Sequence, residues 1–225
     1  MVFQQQHKVT EPSEIKLSKG EQTRIKIINA AIDLFHAQGI AGTGISQILA
    51  QAEAGKSQFY QHFSSKSDLA KAVLDRWQSE IVTATKNIRN FDDLSEWLLN
   101  TLHELTIFEG RRGCPIATIA YSCDLHKLGI RENVKSLFES LTAALQSSLE
   151  TMKSKGHLTE NSDPKMLAQL ILAIQQGAAA MLKLNGQCDL SFAIIEEGIR
   201  NIKTVHGAND VVLTHKHLSI GHSSD

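Results

Sequence analysis

Apolar residues recur along most of the chain at spacings of three and four, the period of a helix that buries one face. Ile25, Ile28, Ile32 and Phe35 predict a helix that begins near Glu21 and stops at Gly39. Thr43 or Gly44 then caps a short second helix, whose buried stripe is Ile45, Ile48, Leu49 and Ala52. After a turn at Glu53 and Ala54, a third short helix carries Phe59, Tyr60 and Phe63. Two short helices joined by a tight turn form a helix-turn-helix candidate.

The elements lengthen from Ser67. Leu69, Val73, Trp77, Ile81, Ala84 and Ile88 trace one stripe that ends near Asn90, and Asp93 with Glu96 has capping-box spacing ahead of Trp97, Leu98, Leu102, Leu105 and Phe108. Gly110 to Gly113 breaks the chain before Pro115 opens a short helix. A further stripe runs from Ile130 through Val134, Leu137, Leu141, Leu145, Leu149 and Met152 to Gly156. Asp163-Pro164 is a cap followed by proline at the first helical position, and the helix it opens runs to Asn185-Gly186. The last helix spans Ser191 to Val205. Residues 1–20, polar and containing Pro12 and Gly20, read as a flexible arm, and 207–225 as a polar tail.

Composition supports an ordered helical protein: 42% of the residues are apolar, and only three are proline. The opening MVFQQQHKVTEPSEIK lacks the apolar core of a signal peptide, and no apolar run approaches the length of a membrane span, so the expected location is the cytoplasm. Cys114, Cys123 and Cys188 form no CxxC pair, which argues against a disulfide framework or a zinc site. The net charge of −1 does not announce a nucleic-acid partner. Through Lys66, however, seven Lys/Arg stand against five Asp/Glu, and beyond it sixteen stand against nineteen. An enzyme is disfavoured: His36, His62, His103, His126, His157 and His206 are scattered, without HExxH, GxSxG or a phosphate-cradling GxxxxGK. No metal or cofactor is implied.

TRIKIINAAIDLF and GIAGTGISQILAQAEAGKSQFYQHFSSKSDL together resemble the DNA-binding domain of the TetR family of transcriptional regulators, most specifically around FYQHFSSKSDL. The resemblance implies an all-α homodimer, with a three-helix DNA-binding domain over 21–66 and a helical ligand-binding and dimerisation domain over 67–206. It further implies a repressor released from double-stranded operator DNA by a small-molecule effector. Carried over by position, Lys56, Ser57, Gln58, Tyr60, Gln61 and His62 touch bases or phosphates and Lys66 holds a phosphate. Thr43 and Gly44 would set the second helix's first N–H groups against another phosphate. The residue chemistry agrees: with Phe59 and Phe63 inward, Lys56, Gln58 and Gln61 point outward, where glutamine pairs with adenine edges and lysine with guanine. The turn departs from the family at Glu53, where glycine is usual, and at Gly55, where a hydroxyl residue is usual.

In the larger domain, Gly177, Ala178 and Ala179 offer close approach to a second helix, and Phe192, Ile195 and Ile199 form a stripe on the next. Both fit a dimer interface, and both also fit packing within one chain. Trp77, Trp97, Phe108, Tyr121 and Leu141 are candidates for an effector chamber, although the same stripes describe plain core. Cys114, between a glycine segment and Pro115, joins them as a thiol at a helix start.

Overall fold

Ser18 opens the first helix. Its hydroxyl accepts the Glu21 N–H at 3.2 Å, and the Glu21 carboxylate accepts the Ser18 N–H at 2.8 Å, a reciprocal cap that starts the helix two residues ahead of the sequence expectation. The Ser18 hydroxyl also donates to the Glu21 carboxylate at 2.7 Å, and this bond first, then the one from the Ser18 N–H, holds the Glu21 carboxyl below its ordinary range. The computed structural model describes residues 17–106, 114–120 and 125–208, without the side chains of Pro115 and Ala117. Phe108, Tyr121, most of the expected arm and nearly all of the expected tail lie outside the described residues.

Nine helices follow in order among the described residues: α1 (Lys19–Gly42), α2 (Ile45–Ala52), α3 (Lys56–His62), α4 (Lys66–Thr85), α5 (Phe91–Thr106), α6 (Pro115–Ala120), α7 (Arg131–Ser154), α8 (Pro164–Asn185) and α9 (Cys188–His206). The only β pairing among them is an isolated bridge between Leu158 and Gly207. The chain forms two compact units, one from the segment ending at Arg76 plus Thr118–Val134, the other from Trp77–Ala117 and the segment beginning at Lys135. The division therefore falls inside α4, inside α6 and inside α7.

In the first unit α1 kinks at Gly39, whose φ of 74° is open to glycine, where the apolar pattern ends the helix. Its buried face is Ile27, Ile28, Ala31 and Phe35, with Ile25 and Ile32 only half-buried. The small alanines turn the stripe toward α2 and α3, on which α1 packs. Ile48, Phe59, Leu69, Ala70 and Val73 complete this core.

In the second unit α5 begins at Phe91, because the Asn90 side chain accepts the Asp93 N–H at 2.8 Å. Asp93 is thus the third helical residue and takes the Arg89 N–H at 2.9 Å, so the pair Asp93–Glu96 is no capping box. α4 ends at Thr85, short of the expected Asn90, and the Thr85 carbonyl accepts from the Ser148 hydroxyl on α7 and from Ile88 N. Val134, Leu137, Leu141, Leu145, Leu149 and Met152 are all buried along α7, as their spacing predicts. Asp163 caps α8 through the N–H groups of Lys165 and Met166, and α8 ends at Asn185 before Gly186.

Helices α5, α8 and α9 pack together. Gly198 sets the closeness of α9 to α8: a Cβ there would lie 2.9 Å from Ile174 Cγ2, tighter than side chains allow. This corrects the expected dimer interface. Ala178, Ala179, Ile195 and Ile199 are buried within the chain itself, so they are not open to a second copy. Gly177 is exposed and Phe192 half-buried. The outward stripe of α8 is Met166, Leu170, Gly177, Met181 and Leu184. Contrary to the sequence expectation, α8 is long and apolar enough to cross a membrane; its inner face packs in the core with α5 and α9.

Candidate nucleic-acid interface

Aromatic anchors fix α3. Phe59 is fully buried and Phe63 nearly so, with ring centroids 5.7 Å apart. Tyr60 stands edge-on to Phe59 at 5.2 Å yet is 62% exposed. The Arg24 guanidinium of α1 lies over the Phe63 ring at 5.5 Å, a cation–π contact that clamps the end of α3. With the inner face so occupied, Lys56, Ser57, Gln58, Tyr60 and Gln61 are all exposed and His62 is half-buried. Donors and acceptors on one face of a short helix, over an apolar inner face, are what a groove-reading helix needs.

The turn joining α2 and α3 is strained. Glu53 has φ 51° and ψ 43°, the left-handed region that costs a residue with a Cβ about 1–2 kcal/mol. Its N–H reaches Ala50 O at 3.4 Å, and Ala54 N reaches Leu49 O at 3.0 Å, so the turn keeps the tight hydrogen bonding of a glycine turn. Glu53→Gly is expected to raise the melting temperature by a few degrees, as about 1 kcal/mol does in a domain of this size, and to strengthen DNA binding by removing a negative charge. Thermal melting with an operator titration measures both; an unchanged or lower midpoint contradicts the strain.

Thr43 and Gly44 sit where α1 ends and α2 begins. The Thr43 side chain is buried and donates to Gly39 O at 2.7 Å, so any contribution outward comes from the backbone. Gly44 is the N-cap of α2, and its N–H is taken by the Gln47 side chain at 2.8 Å. Lys66, the first residue of α4, donates to Ile40 O at 2.8 Å and Thr43 O at 2.9 Å. Two of its three N–H donors therefore hold the α1–α2 turn. The next residue, Ser67, donates to Leu128 O.

The sequence reading missed the capping glutamines. Gln58 Oε1 accepts Gly55 N–H at 2.8 Å, as Gln47 does for Gly44. The signal was present as GISQ and GKSQ, each a glycine cap followed three residues later by glutamine.

In the second unit Trp77 and Leu141 are buried and Trp97 half-buried. Cys114, half-buried and outside any disulfide, accepts from Gln176 Nε2 at 3.3 Å, while Gln176 Oε1 is buried without a hydrogen-bond partner. Among the described residues no His, Cys, Asp and Glu cluster could hold a metal.

A helix-turn-helix with an exposed polar recognition face, followed by a larger helical unit, defines a DNA-binding regulator of the two-part kind. Residues 27–73 match the profile of bacterial regulatory proteins of the tetR family, and 98–192 match the tetracyclin repressor-like C-terminal domain. The transcriptional repressor NemR of Escherichia coli is 25% identical over 192 residues, covering 81% of this chain and 93% of that one. DhaR, a repressor of a Mycobacterium strain, is 24% identical over 178 residues, covering 72% and 82%. The reduced form of E. coli NemR superposes with a TM-score of 0.71 at 24% identity, covering 83% of this chain and 98% of that one. A TetR regulatory protein of Rhodobacter sphaeroides gives 0.68 at 18%, covering 79% and 97%. The chain belongs to the TetR family and is a helix-turn-helix DNA-binding transcriptional regulator.

Proposed function

We propose that this protein is a cytoplasmic homodimeric repressor that leaves its operator when a small molecule binds the second unit. The observation that carries the DNA-facing half is the exposed row Lys56, Ser57, Gln58, Tyr60 and Gln61, standing over buried Phe59 and Phe63. Lys56, Gln58 and Gln61 reach base edges, while Tyr60, Ser57, His62, Lys66 and the first N–H groups of α2, which Thr43 and Gly44 set in place, fix the register on phosphates. Two copies place two recognition helices on successive turns of the duplex, about 34–36 Å apart. The stripe Met166, Leu170, Gly177, Met181 and Leu184 of α8 is the face offered to the second copy.

The effector side is supported by the unsatisfied Gln176 Oε1 beside Cys114. A buried acceptor without a partner is costly, and a ligand carrying an N–H or O–H would relieve it. Trp77, Trp97 and Leu141, the other described candidates, belong to the same unit. The chain passes between the units at three points, within α4, between Ala117 and Thr118, and within α7. Helix α4 is therefore one of three covalent links between them. An effector releases DNA only if it prefers the off-DNA arrangement, and operator must then weaken effector binding by the same factor.

Lys66→Met tests the interface. Losing the bonds to Ile40 O and Thr43 O is expected to lower the melting temperature, and losing the charge is expected to reduce the salt slope of log K by about one. A full slope in the variant, measured between low and physiological salt, would remove Lys66 from the phosphate contacts.

A further inference from the structure

At the C-terminal end of α3 stands a cation contributed by α1. His62 lies four residues beyond Gln58, on the side of α3 that carries the exposed row. Its Cε1 is 3.7 Å from where a Cβ on Gly20 would sit, so the first turn of α1 borders that row. Arg24 follows Gly20 by one helical turn on the same face of α1, and its guanidinium carbon lies 5.5 Å from the centre of the Phe63 ring. The His62 ring flanks the same Phe63 ring at 6.3 Å.

Arg24 is exposed and its charge is not spent on an ion pair. The nearest acid of its helix, Glu21, has its carboxylate on the N–H and hydroxyl of Ser18, and among the described residues the Arg24 guanidinium has no carboxylate or carbonyl partner. Lys66, by contrast, commits two of its donors to the α1–α2 turn. A phosphodiester fits such a guanidinium, whose planar fork gives two parallel N–H bonds to its oxygens and stays charged throughout the physiological range. The aromatic contact restrains the long side chain, so less freedom is lost when it binds.

We infer that Arg24 is a phosphate ligand of the operator, holding the first turns of α1 against the DNA backbone beside His62 while Phe63 keeps its guanidinium in place. Resting on the DNA-binding reading above, this adds a contact from outside the helix-turn-helix that reads no base and fixes how α3 enters the groove.

The test titrates the full-length protein, Arg24→Met and Arg24→Lys with a duplex carrying the sequence that wild type selects from a randomised library, over a range of salt. Arg24→Met keeps an apolar cover on Phe63, so its melting temperature should stay within about 2 °C of wild type. Its affinity should fall by about tenfold on every operator variant alike, with the salt slope of log K smaller by about one. Arg24→Lys keeps the charge and should restore the full slope while recovering only part of the affinity, since lysine lacks the fork. Lost affinity with an unchanged slope in Arg24→Met would make the residue a clamp on α3 alone and overturns the assignment. A slope reduced equally in Arg24→Lys, or a loss confined to one base position, overturns it as well, and all three leave the DNA-binding reading intact. A wild type that selects no sequence overturns both.

Discussion

Ala179→Glu is expected to unfold the second unit, whereas Met181→Glu is expected to leave a folded chain that sediments as a monomer. Ala179 is 3% exposed, on the face of α8 that packs within the chain. A carboxylate there has no partner and no room. An unpaired buried charge with overpacking costs roughly 4 kcal/mol or more, a large part of the about 5–15 kcal/mol that holds a domain folded. Met181, two residues on and facing away, is 41% exposed, and Leu184 is 77% exposed. Glutamate at 181 is solvated in the single chain, so its stability should move by no more than about 0.5 kcal/mol. In the dimer the same charge would be buried. Circular dichroism and sedimentation velocity on both variants separate the outcomes. A tight dimer in Met181→Glu moves the interface off the outer stripe of α8, and a folded monomer in Ala179→Glu means that α8 and α9 pack otherwise than described.

Phe59→Ala is expected to abolish operator binding on every sequence alike. The side chain is fully buried, holds Tyr60 edge-on and touches Phe63, so truncation leaves a cavity at the root of α3. Such losses cost about 3–5 kcal/mol, enough to melt the small first unit. Gln61→Ala, on the exposed face, should instead relax preference at one half-site position at a cost of about 1–3 kcal/mol on the best operator. Thermal melts with binding to a randomised operator library distinguish them. A Phe59→Ala protein that melts like wild type and still binds would show that the aromatic pair does not anchor the recognition helix.

The helical architecture was legible because its signals are local. The period of three and four placed the stripes of α5 and α7, and Asp163-Pro164 with Asn185-Gly186 bounded α8 to the residue. FYQHFSSKSDL located α3 for the same reason. What the sequence left hidden depends on which helix faces which. The run Gly177–Ala180 is small on all sides, so composition cannot say whether its alanines meet α9 or a second copy. The determining contact, Gly198 against Ile174, joins residues that are distant in the chain. The true face of α1 slid toward Ile27 and Ala31 because alanine carries little weight in a hydrophobic pattern but permits close packing. Lys66 was read as a phosphate ligand from its place in a motif. Its bonds to Ile40 O and Thr43 O form only once α4 is folded against the α1–α2 turn.

The face carrying Lys56, Tyr60 and Gln61 is expected to recognise a particular DNA sequence. Capture of genomic fragments from its own source by the purified protein, in parallel with a Lys56→Ala, Tyr60→Ala, Gln61→Ala triple variant, tests it most directly. Wild type should enrich a pseudo-palindrome whose half-sites are centred one helical turn or a multiple apart, with affinity falling steeply as salt rises. The triple variant, folded because all three side chains are exposed, should enrich nothing. Enrichment of no common sequence by wild type, or of the same sequence by both proteins, would contradict the account.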